Sequence, residues 1–331
     1  MSKKRILTGD RPTGKLHLGH YVGSLHNRVK LQRDYETFVI IADVQALTTH
    51  FEHPESLKND IFQITLDYLG AGIDPNISTI FIQSLVPALH ELSMYLGLIV
   101  PVNVLRHNPT VKAEAAQHGF KDMNYGFLGY PVSQTSDICA FKAHLVPVGE
   151  DQLPHIELSR RIVRRFNSLY KPVLVEPEAL IGQVPRLTGL DGKAKMSKSL
   201  DNAIFLADSD KEIQQKVRNA VTDPARIRAT DPGHPDICCV YEYHKVFSED
   251  ELPLIREECE GGKIGCVACK NKLSSALNNL LKPIRSKRTQ LETRPDIIWD
   301  ILHDGTAKAA AAAQQTVEEV REAMCINYFQ Q

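Results

Sequence analysis

The run Phe38-Val39-Ile40-Ile41-Ala42 is apolar at every position and rich in β-branched side chains. A strand with one wet face alternates polar and apolar residues. A strand without alternation has both faces covered, as in a parallel sheet packed between helices. Parallel neighbours need crossover connections, so the run calls for strand–helix–strand units around it. Arg5-Ile6-Leu7-Thr8 supplies a first strand, stopped by Gly9 and Pro12. Leu18, Val22, Leu25 and Val29 then recur at helical steps. A helical stretch over residues 55–71 precedes Ser78-Thr79-Ile80-Phe81-Ile82, and His144-Leu145-Val146-Pro147-Val148 reads as a further strand. Residues 85–136, mostly helical in period, read as an insertion between two halves of the sheet. The expected fold class is α/β, a doubly wound parallel sheet that binds ligands outside the carboxyl ends of its strands.

After residue 200 the strand signals fade. Residues 209–221, 248–260, 270–291 and 306–325 carry helical periodicity, the last opened by Thr306. A smaller all-helical domain is expected there. Of the 331 residues, 43% are hydrophobic and 24% charged, which excludes a disordered chain. No apolar run reaches the roughly 18 residues of a membrane span, and the first residues lack a signal peptide's apolar core, so a cytoplasmic protein with no membrane partner is expected. Lys and Arg total 39 against 40 acidic residues, and this net charge of −1 by itself points to no nucleic-acid partner.

Two loops carry chemistry. Gly9-Asp10-Arg11-Pro12-Thr13-Gly14-Lys15-Leu16-His17-Leu18-Gly19-His20 turns from the first strand into a helix opening near His17. The helix N-terminus, with unpaired N–H groups and its dipole, faces an anion above the strand. His17 and His20 share one helix face, and Gly19 leaves room for close approach; a plain cap with two surface histidines is the alternative. Far downstream, Lys195-Met196-Ser197-Lys198-Ser199 follows Gly189-Leu190-Asp191-Gly192-Lys193-Ala194. Two lysines among small hydroxylated residues suit a clamp on polyphosphate whose charges arrive as the loop closes.

His17-Leu18-Gly19-His20 resembles the HIGH signature, and Lys195 to Ser199 the KMSKS signature, of the class I aminoacyl-tRNA synthetases. Within that family, Val146-Pro147-Val148-Gly149-Glu150-Asp151-Gln152, followed by His155-Ile156-Glu157-Leu158-Ser159-Arg160, is similar to a block of the bacterial tryptophan-specific branch. The GGSDQ-like segment typical of the tyrosine-specific branch is absent. The resemblance covers essentially the whole chain. It implies a Rossmann-like catalytic domain over residues 1–190, then the KMSKS loop and a helical tRNA anticodon-binding domain over residues 191–331. It further implies activation of L-tryptophan with ATP and Mg²⁺, transfer to tRNA(Trp), and a homodimer.

Residue by residue, the resemblance implies catalytic roles for His17, His20, Lys195 and Lys198. ATP would be met by Arg11, Pro12, Thr13, Gly19 and His20, and by Gly149, Glu150 and Asp151 on the ribose and adenine side. Leu187 would meet the base, and Lys195, Met196, Ser197, Lys198 and Ser199 the phosphates. Tryptophan would lie against Tyr130, with Gln152 at its amino group and Asp137 at its indole N–H. The chemistry suits that last assignment, because indole has one donor and no acceptor, and a carboxylate pairs it completely. A substrate lacking the donor would leave a buried carboxylate unpaired. An N-cap role is the plainer reading of Asp137. Gln45 stands where many members carry histidine, which leaves its role open. A tyrosine-specific synthetase and a non-charging iron–sulfur paralogue that binds nucleic acid are the competing functions.

Of seven cysteines, Cys238, Cys239, Cys259, Cys266 and Cys269 lie close in sequence, spaced C-x20-C-x6-C-x2-C when counted from Cys238. Four thiolates suit a [4Fe–4S] cluster or a structural Zn²⁺, and inert buried thiols are the third reading. A similar C-x6-C-x2-C segment in some tryptophan-branch enzymes favours a cluster on Cys238, Cys259, Cys266 and Cys269, with Cys239 able to replace Cys238. Cys139 and Cys325 are expected to be packing residues. The charge is segregated here: residues 241–262 carry a net of −5 and residues 263–294 a net of +7. The basic run reads as a phosphate-contacting surface. A second cluster, Arg160, Arg161, Arg164 and Arg165, reads equally well as a solvated helix face.

Overall fold

The computed structural model describes residues 3–181, 187–194, 196–197 and 200–329. Five strands, β1 (Arg5–Asp10), β2 (Glu36–Ile41), β3 (Ser78–Ile82), β4 (Leu145–Val148) and β5 (Glu178–Ile181), form one parallel sheet in the order β3-β2-β1-β4-β5. The chain winds outward from β1 in one direction through β3 and in the other through β5. The carboxyl ends of β1 and β4 therefore flank a switch point, where such sheets open a crevice. Phe38, Val39, Ile40 and Ile41 are all buried, as the unalternating run requires. At Gly9 the two strands touch so closely that a Cβ would lie 1.9 Å from the Ile40 carbonyl oxygen.

From β1 the chain passes through α1 (Leu18–His20), a π turn (Tyr21–Leu25) and α2 (His26–Leu31). Helices α3 (Asp43–His50) and α4 (Leu57–Ala71) join β2 to β3. The insertion between β3 and β4 is helical: α5 (Pro87–Gly97), α6 (Val102–Arg106), α7 (Pro109–Gln117) and α8 (Tyr125–Ala140). Helix α9 (Leu153–Leu169) leads to β5, which sequence patterning misses because it is four residues long and half-exposed at the sheet edge. Then come α10 (Asp210–Asn219), α11 (Cys239–Phe247), α12 (Leu252–Glu260), α13 (Cys266–Glu292) and α14 (Pro295–Ala323). Leu273, Leu277 and Leu281 of α13 share a core with Ile61 and Ile64 of α4.

Two expectations are corrected. The last helix begins at Pro295, well before Thr306. Gly305 lies inside this helix, and its missing side chain lets α14 lie on β3: a Cβ there would sit 1.9 Å from the Ile80 carbonyl oxygen. Thr306 Oγ1 beside it accepts the Ile82 N–H at 3.2 Å. Helix α14 thus covers the open side of an edge strand, and its Ala309, Ala313, Val317 and Val320 join Phe38, Phe81 and Leu89 in one core. Cys139 is buried as expected, but Cys325 is exposed, just past α14 with φ 60°.

Candidate active site

The two signature loops meet because the chain following the second one is stitched to the first. Leu18 N–H donates to Ile204 O at 2.8 Å and Leu206 N–H to Leu16 O at 2.9 Å, laying residues 204–206 alongside residues 16–18. The Gly19 N–H then donates to Met196 Sδ at 3.4 Å. A side chain at Gly19 would displace the His17 ring, since a Cβ would lie 2.9 Å from it. His17 and His20 form a reciprocal cap: His17 Nδ1 accepts the Gly19 N–H at 3.1 Å, and His20 Nδ1 accepts the His17 N–H at 3.3 Å. The ring centroids are 3.8 Å apart. The cap thus coexists with a place in the cavity wall and fixes Nε2 as each ring's other hydrogen-bonding atom.

Beneath the turn lies a buried network that sequence reasoning missed. Arg28 donates to Asp10 Oδ2 at 2.5 Å and to Gly9 O at 3.1 Å, and Tyr68 O–H donates to Asp10 Oδ2 at 2.8 Å. Burial alone would raise the Asp10 carboxyl, but the Arg28 charge and hydrogen bond, with His20 and Tyr68, outweigh it and hold it at about 2. Its position at the carboxyl end of β1 was the available signal.

Asp137 of α8 is 3% exposed. Gln45 Nε2 donates to its Oδ2 at 2.8 Å, and Gln83 Nε2 reaches Oδ1 and Oδ2 at 3.0 and 2.9 Å. Gln83 is oriented in turn by the Gln45 backbone N–H, which donates to Gln83 Oε1 at 3.2 Å. Burial pushes the Asp137 carboxyl up to about 7, the two amides pull it down, and Asp43 adds a further upward push. The role left open for Gln45 is thereby filled, as a donor to this carboxylate. Gln83 was overlooked although it directly follows β3.

Between these regions Tyr130 Oη lies 2.9 Å from His155 Nε2, and burial pushes the His155 imidazole down to about 4, so it is neutral. The Arg11 guanidinium sits 5.1 Å over the Tyr130 ring and donates to Glu114 of α7 at 3.0 Å. After β4, the Asp151 carbonyl accepts from Thr110 Oγ1 at 3.2 Å, which draws the insertion toward the end of the sheet.

One cavity of about 1110 Å³ is lined by Arg11, Thr13, His17, Gly19 and His20, by Tyr130 and Asp137, by Gly149 to Gln152, and by Leu187 and Met196. Pro12, buried, and Ser197, half-buried, lie outside this lining, and the Ser197 N–H donates to Asn202 Oδ1 at 2.8 Å. The expected phosphate contacts Lys195, Lys198 and Ser199 lie outside the described residues.

Comparison with known proteins agrees with this geometry. Residues 2–282 match the model of the class I tRNA synthetases for tryptophan and tyrosine. A tryptophan–tRNA ligase of Clostridium longisporum is 50% identical over 99% of both chains, and one of Lactococcus lactis is 49% identical over 99% of this chain and all of its own. The chain belongs to the bacterial tryptophan–tRNA ligase family. A crystal structure of the tryptophanyl-tRNA synthetase from Campylobacter jejuni, complexed with ADP and tryptophan, has the same fold. It superposes with a TM-score of 0.86 at 31% identity, covering 97% of this chain and 99% of that one.

Outside the ligase site, Cys238 and Cys239 point to different neighbours. Cys239 Sγ donates to Gly189 O at 3.4 Å. Burial pushes the Cys269 thiol up to about 12, and Cys238, Cys259 and Cys266, each within electrostatic range of it, add to that push. Among the described residues, no three His, Cys, Asp or Glu side chains stand at metal-holding distances. The basic run of residues 263–294 is largely committed within the fold: Lys263 pairs with Glu257, Lys272 with Glu251, Arg285 with Asp210 and Arg288 with Asp67. Lys282 and Lys287 are exposed. Arg160 and Arg164 pair with Glu176.

Proposed function

We propose that the chain activates L-tryptophan with ATP and passes the tryptophanyl group to the terminal adenosine of tRNA(Trp). The supporting observation is a single cavity lined both by a buried carboxylate, Asp137, and by a HIGH turn in contact with Met196. The tryptophan carboxylate attacks the α-phosphorus of ATP, and the bond to pyrophosphate breaks. A terminal tRNA hydroxyl then attacks the acyl carbon, and AMP leaves. Little covalent chemistry falls to the protein; orientation and charge do most of the work. Asp137 accepts the indole N–H, Tyr130 walls the ring, and Gln152 meets the amino group. Arg11, Thr13, Gly19 and the two histidines line the phosphate side, while Gly149, Glu150, Asp151 and Leu187 hold the nucleoside. Lys195 and Lys198 clamp the phosphates, and Mg²⁺ carried by the nucleotide supplies further charge neutralisation. Tryptophan-dependent ATP–pyrophosphate exchange, with tyrosine as the control, tests the reading, and exchange with tyrosine alone would reverse it.

Three further parts complete the proposal. Cys238, Cys259, Cys266 and Cys269 would hold a [4Fe–4S] cluster, or alternatively a zinc ion, either of which supplies a cross-link within the helical part. Arg226 Nη1, 3.8 Å from Cys259 Sγ and 3.9 Å from Cys266 Sγ, would offset the negative charge of thiolates there, although no three of these cysteines stand at metal-holding distances from one another. Anaerobic purification decides, since a cluster is brown and zinc colourless. Exposed Leu85, Met94, Leu98 and Val102 support a homodimer through the insertion, testable by sedimentation. No helix among the described residues is long and apolar enough to cross a membrane; we assign the activity to the cytoplasm, where unpaired cysteines are usual.

A further inference from the structure

Helix α4 carries a buried carboxylate that the mechanism above does not use. Asp67 is fully buried, and two parts of the chain far from it in sequence meet on its two oxygens. Oδ2 accepts the backbone N–H of Leu16 at 2.7 Å, at the point where the glycine turn becomes the HIGH helix. Oδ1 accepts from Arg288 Nη1 at 2.5 Å, and Arg288, on α13, is itself only 4% exposed. Arg288 is held further by the Gln63 carbonyl at 3.1 Å and by the Gln63 side chain. The two helices are in near contact here, since a Cβ on Gly70 would lie 3.1 Å from the Ile284 carbonyl oxygen. Burial pushes the Asp67 carboxyl up to about 6 against the pull of Arg288 and the Leu16 N–H, so the pair remains ionic at neutral pH.

A buried ion pair is a weak source of net stability, because desolvation cancels most of the attraction. Its directional hydrogen bonds do fix geometry. Here the fixed object is the amide of Leu16, one residue before the His17 cap, and hence the position of the helix N-terminus that faces the phosphates. We propose that Asp67 is a positioning residue for the activation step, acting through the Leu16 N–H, and that Arg288 of α13 is what holds Asp67 in register. The helix that begins at Cys266 and Cys269 thereby reaches the phosphate-binding turn through two side chains. The inference rests on the ligase reading proposed above.

The test compares wild type, Asp67→Asn and the apolar double variant Asp67→Leu/Arg288→Met in tryptophan-dependent pyrophosphate exchange, with thermal melts of each. The apolar pair removes both charges together, which usually preserves folding, but leaves the Leu16 N–H without its acceptor. We expect kcat to fall about 10- to 100-fold in both variants, the usual scale for a misplaced reacting group, with the tryptophan KM within about twofold of wild type. A melting temperature restored in the double variant while kcat stays low identifies positioning. Exchange at wild-type kcat per folded molecule in the double variant overturns it and leaves the pair a structural one. Absence of exchange in wild type would fail the ligase reading instead, so the two failures are distinguishable.

Discussion

The side of the cavity proposed for the amino acid and the side proposed for the phosphates are built differently. On the amino-acid side Asp137, Gln45 and Gln83 are 3%, 7% and 0% exposed, and they are bonded to one another before any ligand arrives. They stand on α8, on α3 and immediately after β3, all backed by the core. On the phosphate side Thr13 is exposed and His20 half-buried, and the wall is a turn touched by a loop through Met196. Selection needs the first design. A wrong ligand is rejected only if it strands a polar group where water cannot rescue it. Phosphoryl chemistry needs the second, because charges that arrive with the transition state raise kcat without tightening the ground state. Substitutions on the two sides should therefore separate into KM and kcat effects.

The largest effect belongs to the phosphate side. Lys195→Ala should lower kcat for pyrophosphate exchange about 1000-fold, in line with loss of one transition-state charge contact, while the tryptophan KM stays within about twofold. Unchanged turnover would remove Lys195 from the clamp and erase the contrast between the two sides.

On the amino-acid side, Asp137→Asn should raise the tryptophan KM about 10- to 100-fold, the worth of a charge-assisted hydrogen bond, with kcat little changed. It should also stabilise the ligand-free protein at neutral pH. The reason is linkage: the folded carboxyl titrates near 7 and an unfolded one near 4. Between those values the folded state binds more protons, so stability falls as pH rises from about 4 to about 7 and then levels. Asparagine removes that penalty. Melting curves of both proteins at pH 5 and pH 8 check the sign; a variant less stable than wild type at pH 8 shows that the ionised carboxylate supports the fold.

What sequence could reveal depended on where each signal lies. β2 announces itself because burial on both faces leaves no polar position, whereas β5 is too short and too exposed to show any pattern. Asp137, the two histidines and Met196 sit in contiguous motifs and were legible. Gln83, Asp10 and Arg28 were not, because each acquires meaning only from partners brought by the sheet: Gln83 lies 54 residues from Asp137. The charge run of residues 263–294 is harder to read for the converse reason. Composition counts Lys263, Lys272, Arg285 and Arg288 as a basic surface, while the fold pairs each with a carboxylate on another element or an earlier turn.

The smallest effect sharpens the comparison most, because it asks whether the amino-acid side is held in its ionised state or merely packed. Gln83 donates to both oxygens of Asp137 and pulls the carboxyl down against burial and Asp43. With the wild-type value at about 7, the tryptophan KM should be flat above about pH 8 and rise as pH falls through 7. Gln83→Leu removes both bonds, so the carboxyl titrates higher and a smaller fraction is ionised at pH 7. KM should then rise about 3- to 10-fold at pH 7, in step with the smaller ionised fraction of the carboxyl, and the gap to wild type should narrow by pH 8.5. A KM ratio that is the same at every pH would mean that Gln83 shapes the pocket without tuning its charge. The amino-acid side would then be preformed by packing alone, and the phosphate side would be the only one whose electrostatics answer to its neighbours.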